Sequence, residues 1–267
     1  MSAVPPVSTT VTSASAADAR KATSRRRARG VMAQTKVELA LTLRRGESLL
    51  VSMLIPLGVL VFFSKVDAIS SVKDPVAFLV PGVLALAVMS TAMVSLGIAT
   101  GFERRYGVLK RLGSTPLSRG GLLAAKTLNV LVIEIVQTVL IVAVGAALGW
   151  DVTWRVIPAL GVLLIGTVAF AGIGMLMAGT LRAEANLAAA NALYLFLLFT
   201  GGMAYPLDKL PGVAETIARA LPAAALAESV RGVLDPGRGF ASGEFVVLCL
   251  WAVAMPLAAA RWFRWEE

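Results

Sequence analysis

VAFLVPGVLALAVMSTAMVSLGIA, residues 76–99, runs for 24 positions without a charged side chain. At about 1.5 Å of rise per residue, a helix of that length exceeds the roughly 30 Å of hydrocarbon in a bilayer. The stretch therefore reads as a membrane-crossing helix. Directly after it comes GFERRYGVLKRLGSTPLSRG, residues 101–120, which sets Arg104, Arg105, Lys110, Arg111 and Arg119 against one acid, Glu103.

Outward from this pair, five more apolar runs appear: Leu49–Phe63, Leu128–Leu148, Val156–Leu181, Leu187–Tyr205 and Phe245–Ala260. A chain that is 57% hydrophobic, with a mean hydropathy of +0.79, lies outside the range of soluble globular domains. The expected fold is an all-α integral membrane protein with six transmembrane helices near 48–65, 75–101, 126–149, 156–181, 186–206 and 243–262. The first and last runs are short and need flanking residues or local bilayer thinning to cross.

Six crossings put both termini on one side, and the basic residues select which. With the termini inside, eighteen of the 25 Lys and Arg fall in cytoplasmic segments and seven outside, the bias of a cytoplasmic tail and a cytoplasmic 101–120 connection. The charge in that connection has two readings, a topology anchor or a docking surface for a soluble partner. Nucleic acid is not the expected partner of the basic excess. Aromatic residues are few, and the Lys and Arg lie beside apolar runs, where membrane lipids account for them.

Residues 1–30 are rich in Ser, Thr, Ala and Pro and then turn basic, a composition expected to leave a disordered tail. It lacks the early apolar run of a signal peptide. From Val31 to Glu47 a helical pattern begins, with Gln34, Glu38, Thr42 and Arg45 on one stripe and Met32, Val37, Leu39, Leu41 and Leu43 over much of the rest. Such a helix suits the membrane interface, or it extends the first span.

The chain has no histidine and one cysteine, Cys249, which excludes a disulfide, a His-ligated metal site, a Ser/His/Asp triad and a Cys/His dyad. GGLLAAKT, residues 120–127, resembles a phosphate-binding loop, but Ala125 stands where that motif needs glycine before the lysine. No cofactor is expected in this chain, and ATP, if used, belongs to another subunit.

Within the oil, the 128–148 run carries Asn129, Glu134 and Gln137, with Glu134, Gln137 and Thr138 on one helix face. A membrane carboxylate belongs to a substrate path or proton relay, or else to an interhelical hydrogen bond. Asn186 and Asn191 among small residues, and Gly172, Gly174 and Gly179 in AFAGIGMLMAG, read as places of close helix approach. Between the last two runs, residues 200–239 predict two short helices. The first follows Pro211, with Val213, Ile217 and Leu221 on one face and Glu215 paired to Arg219. The second runs from Ala223 to Leu234. Both are expected to dip into the outer leaflet or pack on the span ends.

Three features together resemble the membrane subunit of ABC-2-type exporters. They are the amphipathic helix before the first span, the loop FERRYGVLKRLGSTPLSRGGLLAAK, and the GGMAYPLDKLP…LP…ESVRG stretch before the last span. The loop is close to the pattern E-R-x-x-G-x-L-x-x-L-x-x-x-P-L-S, with Arg105 and Tyr106 where relatives often carry an acid and another residue. The resemblance implies a permease that pairs with a second permease copy, as a homo- or heterodimer. It also implies two docked ATP-binding subunits that hold ATP and Mg. It places a coupling helix in the loop, carried over onto Glu103, Arg104, Gly107, Leu109, Pro116 and Arg119. The leading expectation is ATP-powered export of a drug, lipid or glycan-like amphiphile. The alternatives are a proton-coupled transporter using Glu134 and a non-transporting membrane scaffold or sensor.

Overall fold

The computed structural model describes residues 13–44, 46–65, 74–113, 119–203, 206–207, 211–235 and 237–264. Every regular element among them is helical: α1 (Ser13–Arg44), α2 (Gly46–Lys65), α3 (Pro75–Val88), a π-helical segment (Met89–Ser95), α4 (Leu96–Arg105), α5 (Val108–Gly113), α6 (Arg119–Ala147), α7 (Val156–Thr180), α8 (Ala183–Thr200), α9 (Gly212–Ala220), α10 (Pro222–Leu234) and α11 (Ser242–Trp262). The all-α membrane fold expected from the sequence is the fold observed.

Among the described residues, five helical stretches are long and apolar enough to cross a bilayer: 75–105, 124–147, 156–180, 183–200 and 242–262. The described apolar part of α2, Ser52–Lys65, is shorter. The quoted run lies in the first of the five, which starts with Pro75 in the first helical turn behind Asp74, whose carboxylate accepts the Ala77 N–H at 3.1 Å. That helix does not stop where the charges begin. It continues to Arg105 because Glu103, Arg104 and Arg105 all find partners on neighbouring helices.

Helix α1 begins at Ser13, so residues 13–30, expected to be disordered, are helical; residues 1–12 lie outside the described part. Ala, Arg and Lys dominate this stretch, and their helix propensity needs no buried face. Further along, α1 turns its polar stripe inward. Thr35 and Glu38 are buried against α6 while Met32, Val37, Leu41 and Leu43 are exposed, the polarity suited to a helix whose outer surface meets lipid.

The core is organised around α7. A Cβ at Gly174 would lie 2.6 Å from the Met93 carbonyl oxygen, and one at Gly97 would lie 3.1 Å from Gly174 Cα, so α7 crosses the π segment and α4 backbone to backbone. Beside that crossing, a Cβ at Gly172 would lie 2.6 Å from the Pro256 nitrogen of α11 and one at Gly179 would run into Phe263, while the Arg264 N–H donates to the Gly179 carbonyl at 3.0 Å. The glycine cluster is indeed a set of close approaches. Helix α10 lies buried between α3, α7 and α11, with Leu226 filling the space at Gly166. Both short helices appear where the sequence predicts them. Arg219 of α9 bonds Glu215 at 2.9 Å and Glu244 of α11 at 2.8 Å. The hydrogen bond to Glu215 is the main influence holding the Arg219 guanidinium above its ordinary pKa. Val213 and Ile217, 78% and 58% exposed, form an apolar face on α9.

A bulky residue at the crossing has only backbone to push against. Gly174→Leu is expected to cost roughly 3 kcal/mol, read as a lowered thermal transition of the detergent-purified protein. Gly161→Leu, on the same helix where a Cβ meets nothing within 4 Å, is expected to leave the transition nearly unchanged.

Candidate functional site

The last turn of α4 is where three helices are tied to one. Glu103 accepts from Lys126 of α6 at 2.6 Å. Arg104, 5% exposed, donates to the Leu181 carbonyl at 2.7 Å, at the corner joining α7 to α8. Arg105 pairs with Glu184 in the first turn of α8. The Arg104 contact satisfies a carbonyl at a helix C-terminus, where a cation is also favoured by the helix dipole.

The chain then turns sharply. Gly107 takes φ +68°, the left-handed conformation that a β-carbon disfavours, and its N–H donates to the Arg104 carbonyl at 3.0 Å. Helix α5 follows at once, with Leu109 1% exposed and Val108 on the surface. Of the expected elbow residues, Glu103 and Arg104 thus point into the protein and anchor the elbow. Gly107 shapes it, and Leu109 seats it. Arg119 opens α6, and Pro116 lies outside the described residues.

Above this anchor is a cavity of about 720 Å³ bounded by α1, α2, the π segment, α4, α6 and α8, within the size range of small-molecule sites. Its charged lining residues are Glu38, Glu103 and Lys126. Lys126, 3% exposed, lies 3.2 Å from Glu38 as well as 2.6 Å from Glu103, and Gln34 donates to Glu38 at 3.0 Å. Ser90, Thr91, Asn129, Asn191 and Tyr194 add polar groups among apolar walls.

The three polar residues of the 128–148 run bond different neighbours. Asn129 lines the cavity and donates to Thr42 of α1 at 3.0 Å. Gln137 accepts from Thr91 of the π segment at 2.9 Å and donates to the Ser52 carbonyl of α2 at 3.2 Å. Glu134 is buried against α7, where the Thr167 hydroxyl lies 2.5 Å from it. Each therefore joins α6 to a different neighbour. Asn186, fully buried, donates to the Gly97 carbonyl at 2.9 Å and packs at Gly101, which makes it a packing residue of α4 and α8. Asn191 bonds the Leu187 carbonyl of its own helix.

Away from the cavity, a buried charge centre escaped the sequence reading. Arg231 of α10 pairs with Glu228 at 2.7 Å and donates to the carbonyls of Gly202 at 2.6 Å, Met203 at 3.3 Å and Phe78 at 3.4 Å, with its guanidinium 4.0 Å above the Phe78 ring. Arg238 closes the other side of Glu228 at 2.8 Å. The available signal was an acid and a base three apart inside an otherwise apolar helix, which on a helix share a face.

A family model described as ABC-2 type transporter matches residues 29–234, most of the chain. The chain belongs to the ABC-2 type transporter family. A relative from Bacillus subtilis (strain 168), named "Putative transport permease YvfS", is 26% identical over 197 residues, covering 71% of this chain and 79% of its own length. The ABC-2 match reaches from within α1 to the end of α10, so it includes the elbow, the cavity and the Arg231 centre. Membership makes the chain a multi-pass membrane subunit of a transporter and implies an ATP-binding partner subunit.

Removing one member of a buried ion pair leaves the other stranded. Arg231→Met is expected to destabilise the purified permease by about 3 to 5 kcal/mol. The double change Arg231→Met with Glu228→Met should restore less than half of that loss, because the Gly202, Met203 and Phe78 carbonyls still lack their donor. Thermal unfolding of both variants in the same lipid nanodiscs checks this.

Proposed function

We propose that this chain is the permease of an ATP-powered exporter that moves an amphiphilic or hydrophobic molecule, drug, lipid or glycan-like, across or out of the cell membrane. It works with a second permease copy over two ATP-binding subunits, which hold ATP and Mg. In this reading α2, 20 residues long, supplies the sixth crossing, and both termini and the α5 elbow are cytoplasmic.

The observation that carries the proposal is the triple anchor at the end of α4. A motor can do work on the spans only through an element that does not yield relative to them. Glu103 and Arg104 act as positioning residues. They bind the elbow's base to α6 and to the α7–α8 corner, so displacement of α5 reaches the helices lining the cavity. The docking face proper is the exposed part of the elbow, which includes Val108 and Lys110.

Reconstitution of the permease with its ATPase tests this. Arg104→Ala is expected to lower substrate-stimulated ATP hydrolysis and flux at least tenfold while the complex still assembles and binds ATP. Unchanged coupling would contradict the lever. Glu134→Gln is expected to retain ATP-driven flux, because an amide can still bond Thr167. Flux that vanished with this change, or with a protonophore at constant ATP, would favour the proton-coupled alternative.

A further inference from the structure

Helix α1 is fixed about its own axis by one face. Glu38 pairs with Lys126 of α6 at 3.2 Å, Thr42 accepts from Asn129 at 3.0 Å, and Thr35 is buried on the same side. Lys126 and Asn129 stand in the first two turns of the 124–147 stretch. At about 1.5 Å per residue that stretch is longer than the roughly 30 Å of hydrocarbon, so its first turns reach the level of the lipid headgroups. The Glu38–Thr42 turn of α1 is held at that level, at the end of the bundle that carries the elbow.

The opposite face of α1 is cationic. At about 100° per residue, Arg29, Lys36 and Arg44 fall within roughly a quarter turn of one another, with Ala33 and Ala40 between them. All three cations are exposed, and none has a hydrogen-bond or ion-pair partner among the described residues. The acid of the 28–44 stretch, Glu38, points the other way, toward Lys126. Exposed Met32 and Leu43 border the cations on one side, and exposed Val37 and Leu41 on the other. Cations set among apolar side chains at the edge of a span match a neighbour with an anionic head and an apolar tail. A long basic side chain lays its stem along the acyl chains and carries its charge to the phosphate. Lipid is already the surrounding medium there, which favours it over a soluble acidic protein.

We propose that the outward face of α1 is a binding site for anionic phospholipid. Lys36 and Arg44, one turn to either side of Ala40, hold the headgroup phosphate, and Arg29 extends the positive field. The bordering apolar side chains rest among the acyl chains. Glu38, on the other face, secures the same lysine that binds Glu103 at the base of the elbow, so a lipid held here braces the helix that braces the elbow.

The test uses the full chain, with Cys249→Ser and Ala40→Cys, carrying a fluorophore at position 40 in lipid nanodiscs. Its quenching is compared for phosphatidylglycerol and phosphatidylcholine that bear the same nitroxide near the top of an acyl chain. Phosphatidylglycerol is expected to quench at least twofold more strongly. Raising the salt from about 0.1 M to about 1 M shortens the screening length from about 10 Å to about 3 Å and should bring the two lipids close to parity. Arg29→Gln, Lys36→Gln and Arg44→Gln made together should do the same at low salt, whereas Lys65→Gln should not. A fluorophore at Gly161→Cys, exposed on α7, should show no preference in any of these proteins. Equal quenching by the two lipids at position 40, a preference that survives the triple change, or an equal preference at position 161 would overturn the assignment. A triple variant that keeps its lipid preference but no longer assembles with the ATP-binding subunit would mark this face as a protein interface instead, and overturn it as well.

Discussion

Contact between backbones at the glycines of α7 is the constraint on which the arrangement rests. Lipid tails are as apolar as leucine, so helices in a bilayer gain little by hiding apolar side chains from it and rely on close packing and hydrogen bonds. Gly174 and Gly97 remove the side chains that would hold α7 away from the π segment and α4, and Gly172 and Gly179 do the same toward α11. Bringing backbones together there fixes the direction of α4, and with it the residues at the end of that helix.

The consequence is mechanical. Because α4 is held at Gly97 by α7 and at Gly101 by Asn186 of α8, its last turn meets Lys126, the Leu181 carbonyl and Glu184 together. Gly107 then redirects the chain into α5 within two residues. An elbow so held is an extension of the bundle, and the cavity wall made by α4, α6 and α8 begins where the elbow ends. The same Lys126 that secures the elbow through Glu103 also reaches Glu38 of α1, which links the base of the elbow to the cavity's charged end.

Much of this was legible in the sequence because membrane crossing depends on length and apolarity, which a single chain displays directly. The runs at 76–99 and 156–181, the glycines of α7, and the short helices after Pro211 and from Ala223 all correspond to observed elements. Direction was harder to read than existence. The stripe of Gln34, Glu38 and Thr42 looks from sequence like a face for water, yet it turns to α6, because its partners Lys126 and Asn129 lie about ninety residues away. Glu103 and Arg104 likewise look like surface charge until the helices that supply Lys126 and Leu181 are in place. The Arg231 centre depends on carbonyls from two segments distant in the chain, at Phe78 and at Gly202–Met203, a convergence that no local pattern encodes. In lipid, polar residues seek one another across the fold, and their spacing along the chain does not reveal which will meet.

The central claim is that the elbow moves as one piece with its own spans. It is tested most directly by spin-label distances in the complex with the ATP-binding partner, in a Cys249→Ser background that removes the chain's single native cysteine. With labels at Val108 and Arg182 in one permease copy, the account predicts the same distance with ADP and with trapped ATP. Labels at Val108 in both copies should change separation between those states. A Val108–Arg182 distance that shifts on ATP binding while the two copies stay fixed would show an elbow that bends independently of the bundle and would contradict the account.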